Sequence, residues 1–130
     1  MAPDVIFRPI ASGSFSSIPT RSARAILDQE SWAQLLGLLQ PESPPSPVNF
    51  SAEMVILLTL DERPTAGYRV AVDRIVQQET RLEVAAVEET PHPSCIVAQV
   101  ITRPFLAIAV TRSNRFVEAQ WSQRVGPPCG

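Results

Sequence analysis

The apolar positions change their spacing along the chain, and each change marks an element. From Asp4 to Ile10, the residues Val5, Ile6, Phe7 and Ile10 predict a first strand, which ends in the small polar loop Ala11-Ser12-Gly13-Ser14. Arg21 to Leu27 reads as a second strand. The spacing then becomes helical: Trp32, Leu35, Leu36 and Leu39 fall at i, i+3, i+4 and i+7, so one stripe faces a core. Asp28 is placed to cap this helix by accepting a backbone N–H, Glu30 suits the positive end of its dipole, and Pro41 stops it near Gln40. Four prolines from Pro41 to Pro47 fix φ and remove donors, which predicts an extended connector.

Beyond the connector, strand patterns take over. Met54 to Leu60, Tyr68 to Val76, Leu82 to Val87, Ile96 to Ile101, Phe105 to Val110 and Phe116 to Trp121 are strand candidates, and no second helix is predicted. Tyr68, Val70 and Val72 share one face, and Leu82, Val84 and Ala86 share another. They are opposed by Arg69 and Ala71 or by Glu83 and Ala85, as in strands with one wet side. These two strands are expected to form a hairpin across Gln77-Gln78-Glu79-Thr80, with a bulge where Asp73-Arg74 breaks the alternation. Val55 to Leu58 and Phe105 to Val110 are apolar on both faces, which places them centrally, covered by the helix or a second sheet. The predicted fold class is mainly β, α+β by strict count: an antiparallel β-sandwich or rolled sheet of about six to eight strands with one short amphipathic helix.

Composition narrows the function. A chain of 130 residues is one domain's worth, expected over residues 1–125 with a disordered tail at 126–130, and buries roughly two-thirds of its unfolded surface. With 45% apolar and 18% charged residues, wholesale disorder is excluded. All 11 basic residues are Arg, and 13 acidic residues leave a net charge of −2, so nucleic-acid binding is disfavoured. The longest apolar run, Met54 to Leu58, is strand-sized, and no membrane insertion is expected. The opening Met1-Ala2-Pro3-Asp4-Val5 does not read as a secretory signal.

Catalytic constellations are sparse. His92, the only histidine, is held between Pro91 and Pro93, with Cys95 three residues on and no orienting third group evident. As metal ligands His92 and Cys95 make two where structural zinc takes four. Glu88 and Glu89 point to opposite faces of a strand and read as solvated caps at its end. With no Lys, Schiff-base chemistry has no nucleophile, and neither a phosphate loop nor a dinucleotide fingerprint occurs. No catalytic residue, metal or cofactor is expected. Cys95 and Cys129 are able to close one disulfide loop of about 35 residues. Because Cys129 lies in Gly126-Pro127-Pro128-Cys129-Gly130, a tail expected to fray, two unrelated thiols are the favoured reading.

Two segments carry a stronger signal. Arg63-Pro64-Thr65-Ala66-Gly67-Tyr68 joins two predicted strands: Pro64 presets one φ, Thr65 is able to bond nearby backbone, and Gly67 permits a positive φ or a close backbone approach. Gln99-Val100-Ile101-Thr102-Arg103-Pro104-Phe105 interrupts two apolar strands with a proline, which marks a bend or an edge. With Pro91 and Pro93 in a loop between them, these segments resemble the C-terminal domain of the protease complex subunit PrcB. Pro64, Thr65, Gly67 and Tyr68 fit the family's first motif, and Gln99, Val100, Thr102, Pro104 and Phe105 its second. The likeness spans roughly residues 48 to 110, with Ala66 where the family favours Gly and Cys95 where a small residue is usual.

That resemblance implies a noncatalytic accessory domain of bacterial proteins, often exported or of the cell envelope, named for a member that associates with and stabilises a protease. The expected role is therefore protein binding through Arg63, Pro64, Thr65, Gly67 and Tyr68, joined by Arg103, Pro104 and Phe105 if the fold makes them adjacent. The partner would be a protease or its complex. The plainer reading of Tyr68 and Phe105 is core filling. Two alternatives stand beside it: a small-molecule or hydrolytic site near His92 and Cys95, and a structural β domain, monomer or weak homodimer, that self-associates through the strand edge at Phe116 to Trp121.

Overall fold

The computed structural model describes residues 3–129. Among them nine strands and one helix follow in the order β1 (Phe7–Gly13), β2 (Phe15–Ser16), β3 (Ser22–Ile26), α1 (Gln29–Leu36), β4 (Leu39–Gln40), β5 (Glu53–Thr59), β6 (Arg69–Gln77), β7 (Arg81–Thr90), β8 (Phe105–Thr111) and β9 (Phe116–Val125). They form a four-stranded sheet in the order β1-β8-β5-β3, a three-stranded sheet β6-β7-β9 and a small β2-β4 ribbon, none closed into a barrel. The mainly antiparallel β prediction with one short helix stands.

Three layers result from two-sided burial of the central strands. Val55 and Leu57 of β5, with Phe105, Ala107 and Ala109 of β8, pack against Trp32 of α1, Leu39 of the ribbon and Ile18 from the β2–β3 connection. The alternate residues Met54, Ile56, Leu58, Leu106, Ile108 and Val110 pack against Ile75, Leu82, Val84 and Ala86 of the three-stranded sheet. The register keeps each set together, since Ile56 lies opposite Ile108 and Leu57 opposite Ala107. Thr59 is fully buried in this layer, and its Oγ1 donates to the Thr20 carbonyl at 2.8 Å.

Local details follow the residue chemistry. Asp28 caps α1 by accepting from the Ser31 amide at 2.7 Å, which holds its carboxyl below the usual carboxylate range. The helix ends at Leu36, short of the expected Gln40, and Leu39 reaches the same core from β4 instead. β6 and β7 form the expected hairpin, and their register shifts between Val72 and Arg74, the predicted bulge. The connector lies along the outer edge of β1, where the Glu42 and Ser46 amides donate to the Ser12 and Ile10 carbonyls, both at 2.9 Å. Its prolines offer no donor to a further strand, which blunts that edge.

Four expectations are corrected. Residues Ile96 to Ile101 form no strand, because exposed apolar side chains there pack on no neighbouring sheet; pairing resumes only at a Thr102–Arg63 bridge. β9 runs parallel to β7, since the chain crosses into the other sheet as β8 between them. The first strand starts at Phe7, while Asp4 pairs with Val76 of the other sheet. Cys95 and Cys129 are bonded to each other rather than free, with a Cα separation of 4.9 Å. Closing that loop stabilises by about 3–4 kcal/mol in the chain-entropy model. The tail is also tied by the Gly126 amide donating to the Thr90 carbonyl at 2.8 Å; Gly130 lies outside the described residues.

Because Ile56 is fully buried between layers, Ile56→Ala is expected to cost about 2–5 kcal/mol in urea unfolding. Ile6→Ala, at an exposed position, should stay within about 0.5 kcal/mol.

Candidate functional site

The fold brings the two motif segments together. The Arg63 amide donates to the Thr102 carbonyl at 2.8 Å and the Thr102 amide returns to Arg63 at 3.0 Å, while the Leu60 amide donates to the Pro104 carbonyl at 3.0 Å. Thr102 is buried, and its hydroxyl donates to the Thr65 carbonyl at 2.9 Å, so it closes the turn from below. The Ala66 amide reaches the Ala98 carbonyl at 3.0 Å. The turn is thus laced along its length to residues 98–104.

Gly67 takes φ of +95°, a region that only glycine enters at little cost. A Cβ there would lie 2.9 Å from both the Pro91 Cβ and the Val97 Cγ1. The third loop, with its two prolines, is therefore seated directly on the turn, which is why the motif needs glycine at this position.

Arg63 is the electrostatic centre. Its Nε and Nη2 donate to the two oxygens of Glu88 at 2.5 and 2.9 Å, a bidentate pair, and Nη1 donates to Asp61 Oδ1 and the Glu62 carbonyl, both at 2.9 Å. The pair is largely withdrawn from solvent, with side-chain exposures of 17% for Arg63 and 10% for Glu88. Glu88, then Asp61, hold the guanidinium charged far above the ordinary arginine range, and Arg63 in turn holds the Asp61 carboxyl below the usual one. Glu88 is thus no solvated cap: it continues the inward series Leu82, Val84, Ala86 and needs a buried cation. Beside it, Arg103 bonds Glu62 at 2.8 Å, and its buried Nε is without a partner.

The candidate residues separate by exposure. Pro104 and Phe105 are buried, Phe105 in the core beside α1. Pro64 and Gly67 are exposed, and Arg63, Thr65, Tyr68 and Arg103 half-buried. Around them are apolar side chains not among the expected binding residues: Ile96 fully exposed, Val100 at 44% and Ile101 at 62%. This loop is pinned by the disulfide at Cys95, by Ala98 and by the Thr102 bridge. Its signal in the sequence was an apolar run with no alternation, which reads equally as a buried strand.

The disulfide also removes the Cys95 thiol as a nucleophile. His92 Nδ1 instead lies 2.8 Å from Ser94 Oγ and accepts from the Ser94 amide at 3.0 Å, a local turn. Among the described residues, no group of three or more His, Cys, Asp or Glu is placed to hold a metal ion, and no helix is long and apolar enough to cross a membrane.

Comparison with known proteins gives one likeness. The family described as PrcB C-terminal matches residues 54–111, from the second residue of β5 to the end of β8, and so includes both motif segments. Neither a curated protein nor a solved structure matches the chain.

Gly67→Ala combines left-handed strain with a clash against two side chains and is expected to cost about 1–3 kcal/mol in urea unfolding. The depressed carboxyls of Asp28, Asp61 and Glu53, the last accepting from Arg8 Nη2 at 2.9 Å, stabilise the fold above their unfolded range near pH ~4. That contribution is lost as pH falls through their lower folded values. The melting temperature should therefore be nearly flat from about pH 7 to 5 and fall below about pH 4, less steeply in Asp61→Asn.

Proposed function

We propose that the chain is an accessory domain that binds another protein, a protease or a member of its complex, and carries out no chemistry of its own. The family likeness over residues 54–111 supports the protease association. The observation that carries the binding role is the loop Cys95–Ile101, which holds no charged residue and displays Ile96, Val100 and Ile101 to solvent. Three exposed branched apolar side chains within one short, anchored loop favour an interaction surface. Anchoring at both ends means that little ordering entropy is lost on binding. Arg63 serves this surface indirectly, by fixing the turn to which the loop is bonded.

The test is capture from the native host with the wild-type chain and with Ile96→Asp/Ile101→Asp as bait. The wild type is expected to retain a protease or its complex. The double variant, with both changes on the surface and each within about 0.5 kcal/mol of neutral, should lose at least tenfold of it. Equal capture by both baits would rule the loop out.

A further inference from the structure

The two flanks of the sandwich are unlike. On one, β3 approaches β9 and the Arg21 guanidinium lies 5.4 Å over the Trp121 ring. On the other, β1 and β6 stand apart and enclose a groove of about 550 Å3, walled by Phe7, Ser12 and Ser14 on one side and by residues 67–72 on the other.

Hydrogen bonding along β6 fixes which of its backbone groups face that groove. The Ile75 carbonyl accepts from the Val5 amide at 2.8 Å and the Gln77 amide donates to the Pro3 carbonyl at 2.9 Å, so Ile75 and Gln77 point away from β7. Their alternates Arg74 and Val76 then bond Ala85 and Glu83. β7 runs without interruption, so Val87 and Glu89 also face β6, and their partners Ala71 and Arg69 are the bonded ones. The bulge absorbs the odd residue. It follows that the N–H and C=O groups of Val70 and Val72 project outward into the groove. Among the described residues no backbone group from outside the sheet reaches them.

We infer that this edge is a strand-accepting site, filled by an extended segment of a partner protein that pairs with β6 at Arg69–Val72. The chain itself shows that the edge takes a strand, because Pro3–Val5 occupies its continuation at Ile75–Gln77. Unpaired strand groups in a concave, part-apolar setting match main-chain recognition: the backbone supplies affinity, and alternate side chains supply selectivity. Four extended residues span about 13 Å, enough for two outward positions and up to four hydrogen bonds. The inward side chains of the segment would meet Phe7, Val70 and Val72, which favours apolar residues at alternate positions. The inference does not depend on the role of the loop at Ile96.

The experiment uses the whole chain and the peptide Ac-Thr-Val-Thr-Val-Thr-NH2 as probe, with amide exchange and shifts read by NMR. In the free protein, the amides of Val70 and Val72 should exchange at least tenfold faster than those of Arg69 and Ala71. Peptide should shift Val70 and Val72 saturably and raise their protection at least tenfold. Val70→Pro, which removes an outward donor but no bond to β7, should abolish the effect, as should Ser12→Trp, which obstructs the groove from the β1 side. The Ile96→Asp/Ile101→Asp chain should bind the probe like wild type, so failure here and failure of the loop are read separately. Slow exchange at Val70 and Val72 in the free protein would overturn the proposal, as would the absence of any peptide effect. Protection that rises with protein concentration alone would assign the edge to a second copy and overturn it too.

Discussion

Burial of β5 and β8 on both faces is the constraint from which the rest of the architecture follows. A strand apolar on one side needs one covering layer; these need two, so the chain must supply α1 with the ribbon on one face and a second sheet on the other. The covering is asymmetric in size. Ala107 and Ala109 face the helix side, where Trp32 fills space, whereas Ile108 and Val110 face the three-stranded sheet. β1 and β3 extend this sheet at its two edges, and the remaining elements cover one face or the other.

The candidate surface is what remains where the two sheets hand the chain to one another. Residues 60–68 and 91–104 connect sheet to sheet, and connections of this kind have no ladder to satisfy their backbones. The chain solves this with the Arg63–Thr102 bridge, the Thr102 hydroxyl, the disulfide and the Arg63–Glu88 pair. Arginine does this work elsewhere as well: Arg112 donates to the Leu27 and Phe50 carbonyls, and Arg115 to Gln78. A guanidinium, with five donors in a fixed fork, suits such bridging better than the single ammonium of lysine.

What could be read from the sequence was whatever depends on near neighbours. Doubly apolar runs gave the central strands, and broken alternation at Asp73 gave the bulge. The Pro64–Tyr68 turn announced its positive φ through Gly67. The failures all concern distant contacts. Glu88 continues an inward series that is plain in the pattern, yet its partner lies 25 positions away, so the pattern alone reads it as a solvated cap. Cys95 and Cys129 are 34 apart, and only the tail's return past Thr90 brings them together. The run from Ile96 to Ile101 reads as a strand because apolar content does not distinguish a side chain facing a core from one facing outward.

The topology also bears on how the chain acquires its structure over time. β1, from the beginning of the chain, completes its sheet only with β8, and β7 gains its second neighbour only when β9, the last strand, arrives. The four-stranded sheet is therefore incomplete until β8 has been made and the three-stranded sheet until β9 has, so the earlier strands alone give neither sheet all its neighbours. Dominance by such remote pairings places folding on the millisecond-to-second scale rather than the microsecond scale of helical bundles. Until the covering layers form, the apolar strands β5 and β8 are open to aggregation, and the speed of layer closure limits that exposure.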